Sequence, residues 1–394
     1  MGRRILAGLL VLSIPILSLS SQEKDQILQA FQKNFIRANL VTKIQVLQDA
    51  AERTEADMGP LYLQSLRFVI DSKSLLEDDP VVRELAVLSV RLIGMTSHQA
   101  AMPFLWELFT LDTNTTLRVE ILNALGALEP EDPRLVQSLN RWLVAQNELF
   151  RTGEPIDEAV VGEAVIALGK IGDDSSFPVL FSAHLLGYSD EISRRARESL
   201  YSIEGDFKEL ILRVLRENTL EEKLEALRIA LENEDLSRND KGQIAEIALN
   251  LAVNTEDATP DDREYLRQIR YESVKVLTAF TWSSATQDVI VHFNQSLQEL
   301  LQGIGRTSHI VDAIACLGAM GTHEAAERLA LYLDSLNSDV ENDREVDEEI
   351  ALAVIQNLGA LGDSVAFEHL LYAGYLDYNE KITKAAREAL NKLQ

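Results

Sequence analysis

Leu168 to Leu200, LGKIGDDSSFPVLFSAHLLGYSDEISRRARESL, lies without a gap over Leu358 to Leu390, LGALGDSVAFEHLLYAGYLDYNEKITKAAREAL, with the same residue at 14 of 33 positions. The shared residues include Gly169 and Gly359, Gly172 and Gly362, Asp173 and Asp363, Phe177 and Phe367, Tyr188 and Tyr378, Arg197 and Arg387, and Leu200 and Leu390. Similarity of a chain to itself at a fixed offset marks a repeat array. Weaker copies of the opening phrase recur as Leu317-Gly318-Ala319-Met320-Gly321, Leu125-Gly126-Ala127-Leu128 and Leu92-Ile93-Gly94.

Each phrase closes a helical stripe. Ala164, Ala167, Leu168 and Ile171 fall at i, i+3, i+4 and i+7, as do Ala351, Val354, Ile355 and Leu358, so one face of each helix must be buried. A Gly, a polar break with Asp173 or Asp363, and a second apolar helix follow, Phe177 to Leu186 in one copy and Ala366 to Tyr375 in the other. The predicted unit is therefore two antiparallel helices. Sustained polar/apolar alternation and turn dipeptides between β-branched runs are absent, which predicts an all-α fold. A lone helix pair cannot bury its apolar faces, so the expected architecture is a right-handed α-solenoid of stacked antiparallel helix pairs, HEAT/armadillo-like.

Asp79-Pro80-Val81-Val82-Arg83-Glu84-Leu85-Ala86 and Leu168-Gly169-Lys170-Ile171-Gly172-Asp173 resemble the HEAT-like repeats of the phycobilisome-lyase type. The resemblance covers 79–205 and 307–394. Over 206–306 the helical periodicity persists without the Gly ending, which reads as degenerate repeats, and 22–78 reads as two or three capping helices. The resemblance implies that arginines and aspartates at these places, among them Arg83, Arg118, Arg197, Arg387, Asp173 and Asp363, pair between adjacent repeats and stiffen the stack. The alternative for Arg83, Arg118 and Arg197 is a concave groove for an acidic partner. Gly169, Gly172, Gly318, Gly321, Gly359 and Gly362 read as structural, since they close helices and follow no strand as a phosphate-cradling loop would. The lyases act on cytoplasmic substrates that an exported protein would not meet.

Export is expected from the first twenty-one residues: Arg3 and Arg4 precede the apolar run Ile5 to Leu17, and Ser18-Leu19-Ser20-Ser21 follows. The run is shorter than the ~20 residues of a spanning helix and holds Pro15, so cleavage near Ser20 or Ser21 is expected, with no stable membrane insertion afterwards. Cys316 is the only cysteine and no intramolecular disulfide is possible, which points to a bacterial periplasm, with secretion as the alternative. The sequons Asn114-Thr115-Thr116 and Asn294-Gln295-Ser296 keep a eukaryotic secretory origin open.

Among 394 residues, 37 Lys and Arg face 63 Asp and Glu, a net charge of −26 that argues against binding nucleic acid through its phosphates. Cleavage would take the charge to about −28 and favour a protein partner with a basic patch. Three stretches, 144–157, 254–264 and 334–349, are expected to interrupt the array. The last, holding Asp339, Glu341 and Asp343, is expected to extend into solvent as an acidic insertion. It lacks the turn glycine of a calcium loop, and Ile350 stands where the bidentate Glu would be needed. Tyr372, Tyr375 and Tyr378 at spacing three suggest either an aromatic protein-binding patch or inter-repeat packing.

Six scattered histidines form no zinc motif, and Cys316 sits on a buried stripe where desolvation should make it inert. His323-Glu324 is a single pair, whereas the helical-repeat enzyme deoxyhypusine hydroxylase holds two irons through several. No cofactor, metal or catalytic residue is expected. The sequence therefore points to a noncatalytic scaffold, adaptor or assembly factor of the cell envelope with an acidic curved surface. The alternative is an enzyme or metal-dependent binding protein whose site is assembled from separate repeats.

Overall fold

Helix starts are set by short polar side chains. Asn39, Asp79, Asn114, Asp132, Asp157, Ser189, Asp206, Thr219, Ser237, Thr259, Thr322, Asp347 and Asn379 each accept a hydrogen bond from a backbone N–H two or three residues on. Such a cap satisfies donors the first turn leaves unpaired. A computed structural model describes residues 21–393 apart from Glu77, Pro130, Glu131, Asp257 and Ala258. The export signal expected over residues 1–21 thus lies outside the described residues except for Ser21. The described residues are all-α, without strands, and none of their helices is long and apolar enough to cross a membrane.

The chain divides into two compact units between Gly205 and Asp206. The first holds α1 (Ser21–Arg37), α2 (Leu40–Ala51), α3 (Gly59–Asp71), α4 (Pro80–Gly94), α5 (Met102–Leu111), α6 (Thr115–Leu128), α7 (Pro133–Arg151), α8 (Glu158–Ile171), α9 (Phe177–Leu186) and α10 (Asp190–Tyr201). Helices α2, α4, α6, α8 and α10 form one row, each packed on the next. Helices α1, α3 and α5 form a second row, continued by α7 and α9, with Phe109 of α5 edge-on to Trp142 of α7 at 5.2 Å. Each odd helix packs on the even helix that follows it, α9 on α10 for example.

The second unit holds α11 (Phe207–Glu217), α12 (Leu220–Glu232), α13 (Arg238–Asn254), α14 (Pro260–Phe280), α15 (Thr286–Leu301), α16 (Thr307–Met320), α17 (His323–Glu341), α18 (Glu348–Leu361), α19 (Phe367–Ala373) and α20 (Glu380–Lys392). Its odd row runs α11, α13, α15, α17, α19 and its even row α12, α14, α16, α18, α20. Leu249, Phe293, Ile314, Leu317, Leu333 and Val354 are among the buried residues of its core.

Two expectations are corrected here. The stripe helix and the apolar helix after it, α8 and α9, were expected to make the pair, but α9 packs on α10 and touches α8 only marginally. The Leu-Gly phrase therefore links one pair to the next. Its first glycine is a helix-interior contact point: a Cβ on Gly126 would lie 3.1 Å from the Ala167 Cα, one on Gly169 2.9 Å from the Ser199 Cα, and one on Gly359 2.8 Å from the Ala389 Cα. Its second glycine ends the helix with φ of 71° at Gly172 and 67° at Gly362, a left-handed turn that favours glycine.

The second correction concerns the interruptions. Residues 144–151 and 334–341 are not loops but the last turns of α7 and α17. Leu329, Leu333, Leu336 and Asn337 are buried along α17, and that anchored face holds the helix while the acidic residues sit among its exposed positions, where like charges stay hydrated. Likewise residues 260–264, read as linker, open α14.

Candidate functional site

The 190-residue offset extends to a buried hydrogen bond that the sequence did not reveal. Tyr188 Oη donates to Asn147 Oδ1 at 2.8 Å, and Tyr378 Oη donates to Asn337 Oδ1 at 3.1 Å. The same asparagines donate through Nδ2 to the carbonyls of Val179 and His369, so each ties α7 to α9, or α17 to α19. Burial raises both tyrosine hydroxyls well above their ordinary range. Of the two readings of the tyrosine triplet, packing describes Tyr378, which is only 9% exposed and belongs to the core; Tyr372 and Tyr375 are exposed, and Tyr372 donates to the Glu341 carboxylate.

The other singled-out residues serve the fold. Arg83 Nη2 donates to the Leu76 carbonyl at 2.6 Å, and Arg118 Nε to the Asp112 carbonyl at 2.7 Å with its guanidinium over the Phe109 ring. These arginines hold the loop before their own helix, and Arg118 also interacts with the carboxylate of Asp157, which caps α8 in the next pair. Arg197 lies on α10, and the Arg387 Cγ would be 3.8 Å from a Cβ on Gly374. Asp173 and Asp363 cap short 3-10 turns through Ser175 N and Val365 N, each at 2.9 Å. Asp363 also accepts from His323 Nδ1 at 2.8 Å, an ion pair that raises the histidine's pKa. Gly318 meets Asn357 of α18, and Gly321 ends α16 with φ of 67°. Asp339 accepts from Arg344 at 3.0 Å, and Asp343 turns the chain with φ of 56°. Cys316 is fully buried, and burial pushes its thiol up to about 12. Among the described residues no three His, Cys, Asp or Glu side chains converge as a metal site would require.

A solvent-open groove in the second unit is lined by none of these residues. It offers about 640 Å³ between α13, α14, α15, the turn at Gln302 to Ile304, and Arg328 of α17. In a chain of charge −26 its lining carries four guanidiniums, Arg263, Arg267, Arg270 and Arg328, and one carboxylate, Glu299. Arg263, Arg267 and Arg270 stand at i, i+4 and i+7 and so share one face of α14. That spacing is visible in the sequence, but the net charge of −26 masks it in the composition.

Arg270 is 4% exposed and donates through Nη2 to Glu299 Oε1. The other Glu299 oxygen accepts from Tyr271 Oη at 3.3 Å, and Arg267 Nε lies 3.5 Å from Oε1. The carboxylate thus accepts from two donors and lies within ion-pair distance of Arg267, whose Nη1 pairs with Glu264. Behind it, His292 is fully buried with Nδ1 3.4 Å from Arg270 Nη1. A guanidinium only donates, so Nδ1 accepts and the proton resides on Nε2, which has no partner. Burial, with Arg270 and His309 nearby, holds this imidazole down to about 3, and it is neutral at physiological pH.

Arg328 is placed differently. Asn294 Oδ1 accepts from both its Nε, at 2.9 Å, and its Nη2, at 2.6 Å, while its guanidinium lies over the Phe293 ring at 4.7 Å. Burial lowers its pKa. Neither Arg328 nor exposed Arg263 faces a carboxylate among the described residues, so the groove holds positive charge that its own walls do not neutralise. Chemically, it can bind an anion. The chain matches no family model and no curated protein.

Proposed function

We propose that this chain is a noncatalytic protein-binding scaffold of the cell envelope, an exported α-solenoid of HEAT-type helix pairs. The observation that carries the proposal is the two-row stacking of consecutive helix pairs within each unit, with the same Asn-Tyr bond closing the last pairs of both. Stacking of this kind buries a continuous core while leaving helix edges and turns in register along an extended surface, which suits recognition of another protein. The net charge of −26 favours partners with a basic patch, whose association weakens as salt screens the attraction. Affinity capture of the tagged protein from envelope extract, at low and high salt, tests this. A defined, stoichiometric protein partner released by salt is the expected result. Purified protein that carries stoichiometric metal and captures no protein would overturn the scaffold in favour of a metal-dependent site.

A further inference from the structure

We propose that the arginine-lined groove of the second unit binds an extended acidic peptide segment of a partner protein, its carboxylates seated on Arg263 and Arg328. The occupant's being a protein segment rests on the scaffold proposal above; the anion preference rests on the groove alone.

The charge there is opposite to that of the chain as a whole, so an acidic segment finds in the groove a complementary place to bind. The charge is also preorganised: Arg328 is held by Asn294 and stacked on Phe293, so little side-chain freedom remains to be lost when a carboxylate arrives. Glu299 is already engaged by Arg270 and Tyr271, which leaves Arg263 and Arg328 to the ligand.

The spacing selects an extended chain over a compact anion. Arg263 stands in the first turn of α14 and Arg328 on α17, so the two guanidiniums left to the ligand lie on different helices of the groove. Same-side residues of an extended peptide recur every ~7 Å, so neighbouring carboxylates can seat one on each. Opposite them, the amides of Gln298 and Gln302 line α15 and its end, where they can donate to and accept from a peptide backbone.

The test is fluorescence anisotropy of a labelled oligoglutamate peptide with the full chain at low salt. Wild-type protein is expected to bind, with affinity falling as salt rises. Arg263→Glu changes an exposed side chain that has no ion pair among the described residues, so it should leave the fold intact and weaken binding by roughly tenfold or more. Arg328→Gln should weaken it comparably, with circular dichroism reporting whether the helices persist. Arg194→Glu, at an exposed arginine of the first unit paired with Glu191 and Glu198, should leave affinity within about twofold. Absence of binding by the wild type, or equal binding by Arg263→Glu, would overturn the proposal. So would binding of inorganic phosphate or citrate without the peptide, which would make the groove a small-anion site. None of these outcomes depends on whether a partner is captured from extract, so the groove and the scaffold can fail separately.

Discussion

Gly162 and Gly169 lie two turns apart on α8, both buried, and alanine at the two positions is expected to have opposite effects. Alanine is favoured over glycine in a helix interior by about 1 kcal/mol, chiefly through backbone entropy. At Gly162 a Cβ would meet the Ile192 Cγ1 at 3.6 Å and Arg195 Nη1 at 3.8 Å, ordinary contact distances, so Gly162→Ala should stabilise by about that 1 kcal/mol. At Gly169 the Cβ would lie 2.5 Å from the Ser199 Cβ and 2.9 Å from its Cα. Carbon atoms rest at ~3.5–4.0 Å, so α10 would have to retreat by about 1 Å. Forcing extra volume into a packed contact costs about 1–3 kcal/mol. If Ser199 turns away, its 3.0 Å bond to the Val165 carbonyl is lost as well, about 1 kcal/mol more. After the propensity gain, Gly169→Ala should destabilise by about 1–3 kcal/mol. Urea unfolding followed by tryptophan fluorescence in a Trp282→Phe background measures both, because the remaining tryptophans, Trp106 and Trp142, lie in the first unit. Equal stabilisation by the two substitutions would refute the close approach of α8 and α10.

Tyr188→Phe removes the hydroxyl that pairs with buried Asn147 Oδ1 and should cost about 1–3 kcal/mol in the first unit, as Tyr378→Phe should in the second; a loss below about 0.5 kcal/mol in urea melts would show that the bond contributes little. Acid should weaken the second unit through His292. Its folded value of about 3 lies below the ordinary 6.5, so the unfolded chain takes the proton first. Stability present above pH 6.5 is then lost towards pH 3, at up to ~1.4 kcal/mol per pH unit. His292→Gln should flatten that slope between pH 4 and 6.5, and an unchanged slope would contradict the assignment.

Helical content and the repeat were readable from local pattern. The apolar spacing of Ala351, Val354, Ile355 and Leu358 demands one buried face wherever the helix packs, and all four are fully buried. Helix boundaries near acidic runs were not readable, because charge density argues for solvent while the stripe through Leu329, Leu333 and Leu336 argues for packing, and packing prevailed. Glycine identity was visible, but its role was not. Gly169 and Gly172 look alike in sequence, yet one is there for the helix it touches and the other for its φ.

The sequence by itself determined that the described residues are all-α, that the chain repeats, and that its single thiol is buried, since each follows from periodicity or composition. Only the tertiary structure decided which helices pair, and that Tyr378 is a core residue while Tyr375 is not. It also decided where positive charge gathers in an acidic chain. The physical reason is range: a stripe is a property of neighbouring turns, whereas the groove joins α13, α14 and α15 to Arg328, which lies more than fifty residues beyond Arg270 and gains its meaning from Asn294 and Phe293.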